Sequence, residues 1–300
     1  EVDIGDRVGL ARTVLGQREA LDVNLHDDTP DALLDIIRVG TSAGGGRPTA
    51  VIAVNDATGE VRSGQVDAPK GFEHWLLKFD GVKDEQLGDP AGYGRIEFAY
   101  HLMATACGIA MTPCRLLEEN GRAHFMTRRF DRPEGNRRLH LQSLCALGHF
   151  DFNSAGAHSY EQAFQVMREM RLHHDAMDQQ FRRTVFNVLG RNQDDHTKNI
   201  AFLMDEEGEW SLAPAFDVTY AYNPRGDWTS RHQMTLAGKR DGFTREDLVT
   251  LGREAGIKKA GDVIDEVAAA VARWPEFADE GKVEEGRAAA IAATHRSLRS

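Results

Sequence analysis

The stretch RNQDDHTKNIAFLMDEEGEWSLAPAFD, from Arg191 to Asp217, decides how the rest of the chain is read. An Asp/Asn cluster is followed by the apolar run IAFLM, an acidic Gly-containing turn and a second segment that ends on another Asp. Two strand-like segments joined by such a turn predict a hairpin. A returning hairpin brings Asp217 back towards Asp194, Asp195 and Asn199. Hard oxygen ligands gathered in this way suit a metal ion and the phosphates that accompany it.

The chain around this stretch has the composition of an ordinary globular protein. Its 300 residues, 41% of them hydrophobic, are enough for one large domain or two lobes with buried cores. A formal charge of -11 argues against an extended nucleic-acid footprint, which needs clustered Lys and Arg. Cys107, Cys114 and Cys145 are odd in number and lack CxxC spacing, so buried free thiols are expected rather than a disulfide frame or a thiolate zinc site. His173, His174 and His196 show no HExxH spacing. No apolar run approaches the roughly 18 residues of a membrane span, and the acidic EVDIGD is not a secretory signal. A cytoplasmic location is expected.

Upstream, DALLDIIRVG suits a short helix, and TSAGGGRP at 41–48 then feeds the β-branched run TAVIAV. Glycines before a strand let backbone N–H groups approach phosphate oxygens, although a plain tight turn needs the same residues. VNDATGEVRSG reads as a hairpin turn and HWLLKF as a strand ending on Lys78, placed either to meet phosphates or simply to face solvent. Ile96, Ala99, Leu102, Met103, Ala106 and Ile109 have helical spacing, with Glu97 on the other side as a candidate partner for Lys78. CRLLEE, the Asn120-Gly121 turn and RAHFMTRRF predict a further hairpin. Beyond FDRPEG the patterns turn helical: LHLQSLCALGHF, YEQAFQVMREMRL and DAMDQQFRRTVFNVLG precede the loop. TREDLVTLGREAG, opened by Thr244, VIDEVAAAVARW and VEEGRAAAIAATHRSL follow it. The expected architecture is α+β: a small β-rich lobe over 1–128 and a larger, mainly helical lobe over 129–300, in the manner of an atypical protein kinase.

The residue types needed for phosphoryl transfer occur in order. In a kinase loop, the Asp that orients the accepting hydroxyl precedes a Mg²⁺-binding Asn by five positions, and a later Asp binds the metal bridging the ATP phosphates. Asp194 stands at that interval from Asn199, Asp195 is offset by one, and Asp217 follows the hairpin. His196 and Lys198 lie between Asp194 and Asn199, where Lys198 either neutralises a transferring phosphoryl group or simply belongs to an exposed loop. HRD, DFG, GxGxxG and VAIK are all absent, so the kinase must be atypical.

In TSAGGGRP (41–48), HWLLKF (74–79), RRFDR (128–132), LQSLCALGHFDF (141–152), RNQDDHTKNIAFL (191–203) and WSLAPAFD (210–217), the chain resembles the HipA family of bacterial toxin–antitoxin Ser/Thr kinases. The resemblance implies that Asp194 is the catalytic Asp, that Asn199 and Asp217 bind Mg²⁺, and that Lys78 contacts ATP phosphates. It places Gly44, Gly45 and Gly46 over the nucleotide, His196 and Lys198 near it, and Arg128, Arg129 and Phe130 in a hinge beside adenine. Ser42 matches the serine that family members autophosphorylate, where a phosphate adding roughly -1.5 to -2 charge opposes loop closure over ATP. The implied partner is a HipB-like DNA-binding antitoxin, with DNA reached only through it, and the implied substrate is a translation component such as an aminoacyl-tRNA synthetase. A kinase of small molecules or lipids, and a nucleotide-binding scaffold regulating an antitoxin–DNA complex, are the competing readings.

Overall fold

The computed structural model describes residues 23–24, 49–83, 86–87, 91–119 and 121–298. Ser42, Gly44, Gly45 and Gly46, the helix expected over DALLDIIRVG, and Asn120 lie outside the described residues. The described chain falls into two compact units, one drawn from 1–94 with 113–138 and the other from 95–112 with 139–300.

The first unit is built on one antiparallel sheet. Its strands are β1 (Val23–Asn24), β2 (Thr49–Val54), β3 (Glu60–Ser63), β4 (Glu73–Lys78), β7 (Cys114–Glu119) and β8 (Arg122–Arg128), ordered β1-β3-β2-β4-β8-β7. A two-stranded ribbon joins β5 (Val82–Lys83) to β6 (Gln86–Leu87). All six residues of β2 are buried, as a run of alanines and β-branched residues in a central strand should be. The β2–β3 turn is fixed by Asn55, whose Oδ1 accepts from Ala57 N at 3.0 Å, and by Gly59 at φ 74°. The expected β7–β8 hairpin is present, with Leu116 opposite Phe125.

The second unit is mainly helical. It contains most of α1 (Tyr93–Ala106), then α2 (Leu144–Leu147), α3 (Tyr160–Glu169), α4 (His174–Leu189), α5 (Arg245–Glu254), α6 (Ala260–Ala272), α7 (Trp274–Glu280) and α8 (Glu285–Ala292). A three-stranded sheet runs β11-β10-β9 through β9 (His140–Ser143), β10 (Ala201–Met204) and β11 (Trp210–Leu212). Its core includes Met103, Phe164, Phe181, Phe186, Phe202 and Trp274, each at most 1% exposed. Burying each such side chain contributes roughly 1.5–3 kcal/mol.

Two expectations need correction. LHLQSLCALGHF is not a continuous helix: His140–Ser143 pairs with β10 as a strand, and only Leu144–Leu147 is helical, capped by Ser143. Cross-strand pairing to a segment 60 residues on has overridden the local pattern. Of the three free cysteines only Cys107 is buried, while Cys114 and Cys145 are half-buried. Among the described residues no helix is long and apolar enough to cross a membrane.

Candidate active site

The predicted hairpin is present. Phe202 pairs with Leu212 and Met204 with Trp210, and Asp205 organises the turn by accepting from Glu207 N and Glu209 N at 3.0 and 2.8 Å. The loop before it is anchored at both ends. At its start α4 closes on Gly190, Arg191 turns the chain at φ 56°, and Gln193 N donates to Ala221 O at 3.1 Å. At its end Thr197–Asn199 forms a single 3₁₀ turn, and Asn199 Nδ2 donates to the Asp194 carbonyl at 2.8 Å, closing the five-residue interval on itself.

The tandem aspartates are in opposite environments. Asp195 is 3% exposed; one carboxylate oxygen accepts from Tyr160 OH at 2.6 Å and lies 2.7 Å from His232 Nδ1, and the other accepts from Gln233 N at 2.7 Å. Burial acts to raise its pKa, but the His232 imidazole and these hydrogen bonds outweigh burial and hold it below the usual carboxylate value. In turn, burial and the Asp195 charge push the Tyr160 phenol well up. Asp194 instead has a side chain 42% exposed, and its Oδ1 accepts from Trp228 Nε1 at 2.5 Å. Partial burial, aided by the carboxylates of Asp217 and Asp195, raises its pKa against the pull of the Trp228 N–H and His196.

Asp217 is exposed and adopts φ 53°, a left-handed conformation uncommon for a residue with a side chain. The preceding Ala215 is fixed by donating its N–H to Ala110 O at 2.8 Å. Asn199, His196 and Asp217 line one crevice with Asp195, and its inner wall carries Arg183. Burial lowers the pKa of that guanidinium to about 9, and it donates to Ala213 O at 2.8 Å. His196 Nε2 lies 3.8 Å from Asp194 Oδ1. Lys198 Nζ sits 3.4 Å from the Phe152 ring centroid, a cation–π contact.

Thus Asp194, Asp195, His196, Lys198, Asn199 and Asp217 share the loop and hairpin of the second unit. Lys78, Arg128, Arg129 and Phe130 lie in the first. Lys78 ends β4 opposite Phe125, with Nζ 6.0 Å from that ring. Arg128 pairs with Glu73 at 3.0 Å, while Arg129 forks onto Asp131 at 2.8 and 2.6 Å and Arg132 reaches the same carboxylate at 2.6 Å. Burial opposes ionisation of Asp131, yet the two guanidiniums keep its pKa below the ordinary value. Sequence reasoning missed Asp131 as the organiser of RRFDR, and it missed Tyr160, Trp228, His232 and Gln233 around the tandem Asp. These last four lie 34–38 residues from their aspartates, and no spacing rule links them.

A β-rich unit and a mainly helical unit carrying this loop define an α+β protein of atypical protein-kinase-like fold. The model of the HipA-like C-terminal domain matches residues 41–274, and the chain belongs to that family. A putative kinase, Y4mE of Sinorhizobium fredii, is 27% identical over 206 residues, covering 62% of this chain and 48% of that protein. The chain therefore spans about half the length of this curated relative. Among solved structures, the Shewanella oneidensis toxin–antitoxin complex of HipA, HipB and operator DNA is similar, with a TM-score of 0.62 at 19% identity. That match covers 85% of this chain and 62% of the other.

Proposed function

We propose that the chain is an ATP- and Mg²⁺-dependent Ser/Thr protein kinase that acts as a HipA-like, growth-inhibiting toxin. The observation that carries the reading is the contrast within the tandem Asp. Asp195 is sealed into the interior by three partners, whereas Asp194 presents a half-exposed carboxylate whose backbone is held by Asn199. A base that accepts a proton from a substrate hydroxyl needs this combination of access and fixed position.

The oxygen donors fit Mg²⁺. Asn199 commits its amide N–H to Asp194 O, which orients Oδ1 as the ligand atom, and Asp217 lines the same crevice. Among the described residues no set of three His, Cys, Asp or Glu side chains is arranged to hold a metal, so the cation would rest on Asn199, Asp217, phosphate oxygens and water. Bound there, it would neutralise charge on the transferring phosphoryl group. Asp194 orients the acceptor hydroxyl and takes its proton; Lys198 and His196 border the same loop. Lys78 keeps the phosphate-contacting role, Arg128 to Phe130 the adenine-side role, and Ser42 with Gly44, Gly45 and Gly46 the phosphate-covering, self-modified loop. A HipB-like antitoxin is the proposed partner, and a translation component the proposed protein substrate.

The test is incubation of labelled ATP and Mg²⁺ with a cell extract, comparing the wild type with Asp194→Asn. Loss of transfer by 10²-fold or more, with ATP binding retained, is expected on the usual worth of a general base (about 10²–10⁴-fold). Equal transfer by the two proteins would remove Asp194 from catalysis. Label confined to a small molecule or lipid would redirect the substrate class, and ATP binding without transfer by the wild type would leave a regulatory scaffold.

A further inference from the structure

Both members of the tandem Asp are tethered to one short downstream segment, Trp228 to Gln233. Trp228 Nε1 donates to Asp194 Oδ1 at 2.5 Å, while His232 Nδ1 and Gln233 N meet the Asp195 carboxylate at 2.7 Å each. Gln233 ties the segment together: the two N–H groups of its Nε2 are shared among Gln193 O at 3.2 Å, Arg231 O at 3.0 Å and Trp228 O. His232 and Gln233 are 0% and 3% exposed, so this end of the segment is fixed in the interior. The indole is only half-buried.

We infer that Trp228, held by the buried His232–Gln233 pair, is a positioning residue that sets the rotamer of the catalytic Asp194 carboxylate. The inference rests on the kinase reading above. The backbone of Asp194 is already fixed by Asn199, at 2.8 Å through its carbonyl. What the loop lacks is a constraint on the side-chain dihedrals, since a half-exposed carboxylate otherwise samples several staggered positions. An indole N–H supplies one donor and no acceptor, so it occupies Oδ1 without taking part in proton transfer. Oδ2 is then the oxygen directed to the acceptor hydroxyl. His196, at 3.8 Å from Oδ1, is too distant to replace the indole as a direct hydrogen-bond donor.

Two measurements on the full chain test this. In a ¹⁵N-tryptophan-labelled sample the four tryptophans give four indole resonances, and the one lost in Trp228→Phe should shift in Asp194→Asn. An unmoved Trp228 resonance shows that the bond is absent and overturns the inference, whatever the enzyme does. In phosphate transfer, Trp228→Phe should lower kcat by about tenfold or more with KM for ATP unchanged, because a small misplacement of a catalytic group is costly. Trp228→His, which keeps a ring N–H, should recover part of that loss. In the Asp194→Asn background Trp228→Phe should cost nothing further, since the indole acts through that carboxylate. An unchanged or raised kcat in Trp228→Phe, or an equal loss in both backgrounds, overturns the positioning role while Asp194 stays catalytic. Full transfer by Asp194→Asn removes Asp194 from catalysis and this inference with it, and the indole shift then reports a structural bond alone.

Discussion

Asp195, adjacent in the chain to the proposed base, behaves as a structural anion. Its two oxygens meet Tyr160, His232 and Gln233 at 2.6–2.7 Å, so truncation to alanine leaves three interior groups without an acceptor. Breaking a buried pair of this kind costs about 3–5 kcal/mol, and urea unfolding of Asp195→Ala at neutral pH should show a loss of that order. The folded pKa of Asp195 lies below its ordinary value of 3.8. Its contribution is therefore complete above that value and is lost as pH falls through the lower, folded one. The wild type should lose this part of its stability below about pH 4, and Asp195→Asn should lack that segment of the acid limb. At this scale the five-residue interval from Asp194 to Asn199 made the loop legible in the sequence, because it is a local rule. The partners of Asp195 were not legible, since Tyr160, His232 and Gln233 reach it only through tertiary folding.

Elements whose stability is local were readable, and those made by distant pairing were not. The Thr244 start of α5 closes a capping box with Asp247, and Thr244 Oγ1 accepts from Asp247 N at 3.2 Å. The β10–β11 hairpin likewise follows from its turn residues. The residues of β9 carry a helical pattern, and the partner that makes them a strand, β10, is remote in sequence. The close approach of Gly94 to Ala123 was equally invisible: a Cβ on Gly94 would stand 1.9 Å from Ala123 O, a backbone atom with no side-chain freedom to yield. Glycine is thus required at position 94, against the Ala123 backbone of β8. Gly94→Ala must displace the helix end or the strand, and overpacking of this kind costs about 1–3 kcal/mol. Thermal unfolding should show a lowered midpoint in that variant, whereas the general helix preference for alanine would raise it.

Taken as a whole molecule, the chain folds the foot of its proposed catalytic loop against residues from both sides of the sequence. From α1, Tyr100 OH donates to Gly190 O at 2.6 Å and stands 2.9 Å from His295 Nε2. From the segment after α8, Thr294 O accepts from Arg191 Nε at 2.7 Å, and Arg296 N donates to Leu189 O at 2.9 Å. His295 lies edge-on to both Tyr100 and Trp274. Because the Tyr100 proton goes to Gly190, the phenol oxygen accepts from His295 Nε2–H, which the neutral imidazole can supply. Burial, and then the nearby Arg191 charge, lower the His295 pKa from 6.5 to about 4. The unfolded chain consequently binds a proton that the fold excludes between those values, and stability rises with pH across that window. As pH falls from 6.5 towards 4 the wild type should lose stability at this residue, in a range where Asp195 is not yet titrating. His295→Phe keeps the ring contacts and removes the ionisable group. Its stability at pH 7 should be lower for want of the bond to Tyr100, but its slope against pH between 6.5 and 4 should be shallower. Chemical denaturation at half-unit pH steps reads both quantities together, and an unchanged slope would mean that the foot of the loop is held without His295.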